Sequence, residues 1–193
     1  MKNDLRTVKT RRAINSAFME LLEEVGFSKL NVRMMIERAE INRSTFYLHY
    51  LDKYDLLEKF EASILSGIAS IAEEAPIEYI TRHSHDEQSL SLYAGKMTEY
   101  LLANSKAFSL LMSEKGDPAF IHKISEAVSN IWDKNQVPRQ LSVSPDYTKA
   151  ALIGSITYLI SQWVKNGFDL TKEEFSAMIL TFTHSILETV LAE

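Results

Sequence analysis

The chain has 193 residues and is 46% hydrophobic, a composition that suits one or two folded cores and argues against an intrinsically disordered chain. It contains no cysteine, which excludes a disulfide framework and a thiolate metal site. The net charge is −5, but residues 1–60 carry 11 Lys/Arg against 9 Asp/Glu, whereas residues 61–193 carry 10 against 17. A basic N-terminal part on an acidic remainder is the distribution expected of a DNA-binding head on a body that does not touch DNA.

Apolar residues recur at helical spacing along almost the whole chain, and no strand-like alternation ends in a hairpin turn. The N-terminus is charged, unlike a signal peptide, and no apolar stretch is long enough to span a bilayer. We therefore predict an all-α, cytoplasmic protein without a membrane contact.

The first four predicted helices follow one another closely. The first runs from about Arg6 to Glu24 and is ended by Gly26, because glycine enters the left-handed region freely. Asparagine and aspartate are good N-terminal caps, and one of them precedes each of the next three. The predicted spans are Val32 to Arg38 after Asn31, a third helix from Asn42 to about His49, and a fourth from Asp52 to about Ala75.

The remaining predicted helices lie after a polar stretch at residues 81–87. They are about Gln88 to Ala103, Ser105 to Ser113, a helix from Asp117-Pro118 to about Asn135, Tyr147 to Lys165, and a last helix after the capping box of Thr171 and Glu174. The helix from Tyr147 to Lys165 is apolar nearly all round, so we expect it to be covered on every side.

Two short helices joined by a turn at Ala39-Glu40-Ile41 are typical of a helix-turn-helix. Arg43, Ser44 and Tyr47 share one face of the second helix, and Phe46 faces the core. The same pattern also occurs in proteins that never bind DNA, so by itself it leaves the function open.

Many other residues of this region stand at fixed spacings around the turn. They are Thr10-Arg11-Arg12-Ala13-Ile14, Ala17-Phe18, Leu21-Leu22, Gly26-Phe27, Val32, Ile36, Ala39, Ile41-Asn42-Arg43-Ser44-Thr45-Phe46-Tyr47, His49-Tyr50, Lys53 and Leu56-Leu57. This stretch, roughly the first third of the chain, resembles the start of the TetR family of one-component transcriptional regulators. It departs from the family at Glu40, where glycine is usual, and at Asn42, where serine is frequent.

The resemblance implies an N-terminal three-helix helix-turn-helix head, residues 1–55, on an α-helical ligand-binding and dimerisation body, residues 56–193. Arg43 is the expected base-reading residue, because a guanidinium can donate two hydrogen bonds to guanine. The other expected DNA contacts are to bases, phosphates or both. They are Arg33, Asn42, Ser44, Thr45, Tyr47, His49 and Lys53.

The body is expected to pair with a second copy, since a dimer reads two half-sites of a palindromic operator. The expected interface residues lie in the last two helices: Gly154, Phe175, Met178, Phe182 and Ile186. The same residues would otherwise fill the core of one subunit. A small-molecule effector would lie among aromatic and methionine side chains, which are more often plain core. They are Tyr93, Met97, Phe108, Met112, Trp132, Tyr158 and Trp163.

The segment Tyr158, Trp163 and Gly167, after Ala151 and Gly154, resembles a C-terminal domain of TetR-like regulators of Firmicutes, one of which is a co-activator that docks on another protein. The expected function is therefore a repressor that binds operator DNA, with a protein-binding co-activator as the alternative. An enzyme is not expected, because the chain has no catalytic motif and needs no cofactor. His83 and His85 could be taken for metal ligands, but two histidines at this spacing in a polar loop are more often simply exposed to solvent.

Overall fold

The structure is a computed structural model that describes residues 2–74, 87–134 and 144–191. Every regular element in these ranges is an α-helix, and the predicted all-α fold is confirmed. The helices are α1 (Lys2–Lys29), α2 (Val32–Arg38), α3 (Arg43–Tyr47), α4 (Lys53–Ala72), α5 (Glu87–Ala103), α6 (Ser105–Leu111), α7 (Phe120–Lys134), α8 (Pro145–Lys165) and α9 (Lys172–Leu191).

Helix α1 begins at Lys2, before the predicted Arg6, and α6 ends at Leu111, before the predicted Ser113. Two further boundaries differ for reasons that the hydrogen bonds show. Helix α1 continues past Gly26, whose φ of 76° and ψ of 158° interrupt it, and a final turn follows in which the Leu30 N–H donates to the Gly26 carbonyl at 3.2 Å. Helix α7 begins at Phe120 and not at Pro118. The reason is that the Asp117 N–H donates back to the Leu111 carbonyl at 2.8 Å. Residues 111–117 therefore form a turn after α6, and Asp117 does not start the next helix.

The chain forms two compact units, and each is built from separate stretches. The first comprises Met1–Ile64 and Leu110–Pro118, and the second comprises Leu65–Ser109 and Ala119–Glu193. The predicted head of residues 1–55 lies wholly within the first unit, which also includes the start of α4 and the later segment Leu110–Pro118.

The core of the first unit is aromatic. Phe18 of α1 is fully buried, and its ring meets that of Phe60 of α4 edge-on with 5.4 Å between centroids. Arg38 of α2 donates to Glu20 at 3.1 Å and to Glu24 at 2.8 Å, so a charged fork on the surface ties α2 to α1. These contacts hold α1, α2 and α4 together, and α3 follows α2 in the same unit.

Lys115 attaches the segment Leu110–Pro118 to the end of α1. Its carbonyl accepts the Phe27 N–H at 2.8 Å, and its ammonium donates to the Glu23 carbonyl at 2.6 Å. Both bonds satisfy backbone groups beside Gly26 that the interrupted helix leaves without an α-helical partner. A lysine 92 residues away from Glu23 along the chain thus completes the helix end.

In the second unit, α9 packs against α5 and α8, and α8 also packs against α7. The rings of Trp163 and Phe175 stack with 3.8 Å between centroids, and the indole N–H donates to the Leu170 carbonyl at 3.2 Å. The predicted capping box is present: the Thr171 N–H donates to the Glu174 carboxylate at 2.8 Å, and the Glu174 N–H donates to Thr171 Oγ1 at 3.2 Å.

The described residues do not cover helix α8 on every side. Leu152, Ile153 and Ile160 are buried, whereas Gly154 and Tyr158 are exposed. Helix α8 packs against α7 and α9, and its Leu152 clusters with Leu90 of α5, whereas the stripe with Gly154 and Tyr158 is exposed.

Gly26 provides a test of the α1 break. We expect Gly26→Ala to lower the free energy of unfolding by about 1–3 kcal/mol, because its backbone lies in a region that residues with a Cβ rarely enter. Urea denaturation followed by circular dichroism measures the change.

The matched control is Gly95→Ala, where the added Cβ would meet only the end of the Lys172 side chain at 3.9 Å. At this helical position alanine should stabilise the protein by about 0.5–1 kcal/mol. If Gly26→Ala were as stable as the wild-type protein, the idea that alanine is strained at this position would be wrong.

Candidate nucleic-acid interface

The five-residue helix α3 is begun by its cap, Asn42. Asn42 Oδ1 accepts the Thr45 N–H at 2.7 Å and also the hydroxyls of Ser44 and Thr45, both at 2.7 Å. Phe46 anchors the other side of the helix, fully buried with its ring 5.7 Å from that of Tyr50. The cap and the anchor together fix the direction in which α3 presents its outer face.

The turn before α3 explains the departure from the family at Glu40. The Ile41 N–H donates to the Ile36 carbonyl at 3.2 Å and the Glu40 N–H to the Glu37 carbonyl at 3.4 Å, the two bonds of a Schellman motif. Glu40 occupies the left-handed position of this motif with a φ of 52°. Glycine is usual at such a position because a Cβ costs about 1–2 kcal/mol there. In this chain the exposed Glu40 adopts the left-handed conformation in place of glycine.

Arg43 and Tyr47 form a pair on the exposed face of α3. The guanidinium of Arg43 lies over the Tyr47 ring, 5.5 Å from its centroid, and one nitrogen is 3.5 Å from the phenol oxygen. Both residues are exposed, and Ser44 lies beside them on the same surface. The three polar residues that the sequence places on one face are therefore neighbours on an accessible surface.

Leu48 is a residue of this surface that the sequence analysis missed. It is 82% exposed directly after α3. The available signal was its position two residues after the core residue Phe46, at a spacing that turns a side chain outward.

His49 and Arg33, two predicted DNA contacts, differ in their surroundings. The His49 carbonyl accepts from the Lys59 ammonium at 3.2 Å. Partial burial, together with the positive charges of Arg11 and Lys59, lowers the pKa of His49. The Arg33 side chain is 87% exposed and pairs with Glu37 at 2.8 Å, one turn along α2.

The ammonium of Lys53 lies against the C-terminal end of α1. Its ammonium donates to the carbonyls of Phe27 at 3.0 Å, Ser28 at 3.3 Å and Leu30 at 3.0 Å. The nitrogen also lies 4.8 Å from the centroid of the Phe27 ring and 5.3 Å from that of Tyr54. An ammonium has three N–H donors, and here each has a carbonyl partner. In this conformation Lys53 positions the junction of α1 and α4.

The predicted effector residues that the structure describes differ in their surroundings. Phe108 is fully buried, Trp163 stacks on Phe175, and Tyr158 is 71% exposed. Tyr93 packs against the buried cluster of Leu90 and Leu152, and burial raises its pKa to about 12. Met97 and Met112 are half-buried, and the Trp132 side chain lies outside the described part.

A shallow groove of about 480 Å³ lies between α5 and α9, lined by residues that include none of those predicted. Its lining is Gln88, Ser91, Leu92, Gly95, Lys96, Glu99 and Lys172.

The predicted interface residues divide between the surface and the core of the second unit. A Cβ on Gly154 would meet nothing within 4 Å, and Phe182 is 47% exposed. Phe175 is buried on Trp163, and Ile186 packs against the cluster of Leu90 and Leu152. Met178 is half-buried.

The described ranges contain no group of three His, Asp or Glu residues that could hold a metal ion. His83 and His85 lie outside those ranges. In the same ranges, no helix combines the length and the apolar character that crossing a membrane requires.

Comparison with known proteins gives matches over both units. Residues 14–60 match the family model described as bacterial regulatory proteins, tetR family, and residues 88–185 match one described as transcriptional regulator C-terminal region. The chain is 23% identical over 180 residues to an uncharacterised HTH-type transcriptional regulator of Bacillus subtilis (strain 168), YxbF. The match covers 89% of this chain and 45% of the relative, so the chain spans less than half of the relative's length.

Solved structures are also similar. A TetR transcriptional regulator from Streptococcus agalactiae 2603V has a TM-score of 0.63 and 23% identity, covering 95% of this chain and 98% of that one. NalD, the secondary repressor of the MexAB-OprM multidrug efflux pump in Pseudomonas aeruginosa, has a TM-score of 0.61 and 20% identity over 92% and 95%. The dihydroxyacetone kinase operon activator DhaS has a TM-score of 0.59 and 15% identity over 94% and 97%. These likenesses show the fold.

The placement of Lys53 provides a test. We expect Lys53→Met to lower the free energy of unfolding by about 1–3 kcal/mol, because three carbonyl oxygens lose a charged donor. Urea denaturation measures this change. As the control, Lys9→Met removes an exposed ammonium of α1 and should change the stability by less than about 0.5 kcal/mol. A Lys53→Met protein as stable as wild type would show that the carbonyl contacts contribute nothing.

Proposed function

Because this chain belongs to the TetR family of transcriptional regulators, as its sequence led us to expect, we propose that it binds palindromic operator DNA as a homodimer and represses transcription. A regulator of this family is a transcription factor and not an enzyme. The observation that carries the proposal is the accessible face of α3, where the guanidinium of Arg43 is held over the ring of Tyr47.

In the proposal, Arg43 reads a guanine through two hydrogen bonds in the major groove. The contact with Tyr47 restricts the arginine before DNA arrives, which reduces the entropy lost on binding. Asn42 has a different role, since its Oδ1 already accepts three hydrogen bonds. Paired reading of adenine needs that oxygen as an acceptor, so Asn42 acts mainly as the cap that holds Arg43 and Ser44 in place.

The phosphate contacts in the proposal come from groups around α3. Tyr47 presents an exposed phenol, and the His49 imidazole lies half-buried just after the helix. The Thr45 hydroxyl donates to Asn42 Oδ1, so it would have to rotate away from the cap to reach a phosphate. Arg33 and the exposed basic residues of α1 add attraction that does not depend on sequence. Lys53 contributes by fixing the end of α1, with its ammonium on three carbonyls.

The homodimer is proposed to form through the open stripe of α8 and the neighbouring exposed residue of α9. Ala151, Gly154 and Tyr158 lie along this stripe, and Phe182 belongs to α9. Small residues allow two helices to approach closely, and the aromatic residues at the edges supply apolar area. A two-fold axis would bring the same stripe of the second copy onto it and complete a four-helix bundle. Phe175 supports the stripe from within the subunit, through Trp163.

Repression and the response to a small-molecule effector complete the proposal. NalD, which shares this fold, is a repressor, whereas DhaS is an activator. An effector that favours one spacing of the two heads would change DNA affinity without touching the DNA. A promoter fused to a reporter gene tests the sign: repression predicts that deleting the regulator raises expression.

Arg43 is the residue to test first. We expect Arg43→Ala to weaken binding to an operator selected from genomic fragments by about 1–3 kcal/mol per half-site, roughly 5- to 150-fold for each guanine contact that is lost. The matched control, Arg43→Lys, keeps the charge but not the planar pair of donors. It should retain affinity for unrelated DNA and lose discrimination at the guanine.

Titration of labelled duplexes at several salt concentrations measures both effects. A wild-type protein without any salt-dependent affinity for DNA would contradict the DNA-binding proposal and leave the co-activator as the surviving alternative.

Gly154 tests the dimer. We expect Gly154→Arg to convert the dimer into a folded monomer, because nothing lies within 4 Å of the added Cβ in one subunit whereas a close partner helix would clash. Arginine also has a higher helix propensity than glycine, so the monomer should keep its helicity. Sedimentation equilibrium measures the mass.

The control is Leu92→Arg, at an exposed apolar residue of α5 away from the stripe, which should remain a dimer. A Gly154→Arg protein that stays dimeric would show that the interface does not include the stripe of α8.

A further inference from the structure

Leu48 is a large apolar side chain left open to solvent at the end of the reading helix. It is 82% exposed, although Phe46, two residues earlier, is fully buried. Its N–H donates to the Ser44 carbonyl at 3.1 Å, and its φ of −70° and ψ of −21° are helical. The helical turn therefore continues through Leu48 and places it one turn after Ser44.

Helical geometry places Leu48 on the surface that carries Arg43. At roughly 100° per residue, Arg43, Tyr47, Ser44 and Leu48 follow one another around an arc of about 140°. All four are exposed, and the buried Phe46 lies outside this arc. The reading surface thus has a cationic edge at Arg43 and an apolar edge at Leu48.

An apolar edge has one kind of partner in the major groove. The base edges there present hydrogen-bond donors and acceptors, and the exception is the C5-methyl group of thymine. We propose that Leu48 contacts the C5-methyl group of a thymine and so specifies a second base of each half-site, an inference that rests on the proposed function. Burial of Leu48 against this methyl group removes from water an apolar surface that the subunit leaves uncovered.

The helix also sets the distance between the two bases. Arg43 and Leu48 are five residues apart, about 7.5 Å along the helix axis at 1.5 Å per residue. Base pairs rise about 3.4 Å each, so the thymine lies about two base steps from the guanine, and within about three when the length of the arginine side chain is included.

Leu51 provides the matched control. It is 76% exposed and has the same side chain, but it follows the end of the helical turn, and its N–H donates to the Asp55 carboxylate at 2.8 Å. It therefore does not continue the helix that carries Arg43, Tyr47, Ser44 and Leu48.

Replacing thymine by deoxyuridine tests the contact, because this substitution removes only the methyl group. The full-length protein selects its operator from a random duplex library, and each thymine of the selected half-site is then replaced in turn. We expect one replacement, within about three base pairs of the guanine lost in Arg43→Lys selections, to weaken binding about fourfold per half-site. The Leu48→Ala protein should be insensitive to that replacement, whereas the Leu51→Ala protein should keep the wild-type sensitivity.

Three results would overturn the inference: no replacement weakens wild-type binding, Leu48→Ala keeps the full sensitivity, or Leu51→Ala loses it. The first needs only the wild-type protein and so does not depend on whether a variant folds. Failure to select any DNA would instead overturn the proposed function itself. A selected operator whose thymines can all be replaced without effect would leave DNA binding standing and remove the role of Leu48.

Discussion

One side-chain oxygen sets the start of α3. Asn42 Oδ1 accepts a backbone N–H and two hydroxyls, all at 2.7 Å, and thereby fixes the first turn of a helix only five residues long. A helix of this length is not stable alone, because nucleation costs more than so few hydrogen bonds return. Its direction therefore depends on the cap at one end and on the burial of Phe46 in the middle.

The head owes its geometry to polar groups as much as to its core. The ammonium of Lys53 joins the end of α1 to the start of α4, and Arg38 joins α2 to α1 through two glutamates. The Schellman motif at Glu40 then turns the chain from α2 into α3. Each contact satisfies backbone or charged groups at a helix end, where an α-helix leaves its own donors and acceptors unpaired. The outer face of α3 carries the exposed residues Arg43, Ser44, Tyr47 and Leu48.

The sequence predicted the helices and the helix-turn-helix because apolar spacing and caps are local signals. It did not predict the position of the Lys53 ammonium, because an ammonium can donate to phosphate or to carbonyl oxygens and the choice depends on how residues 27–30 fold back. Trp163 was also ambiguous, since an aromatic residue at helical spacing suits a core and a pocket alike, and its stacking on Phe175 depends on the packing of α9.

Lys115 has a consequence for how such heads can be exchanged between regulators. The unit that contains α1, α2 and α3 is not a contiguous stretch, because Leu110–Pro118 belongs to it and completes the end of α1 through the Lys115 carbonyl and ammonium. A fragment that ends at residue 64 would leave the Phe27 N–H and the Glu23 carbonyl without these partners. Recombination that grafts this head onto a foreign body is therefore constrained at a second place in the gene, since the new body must bring a turn of matching shape. Head and body look like two consecutive modules in the linear sequence, but the head also needs the segment Leu110–Pro118 from within the body.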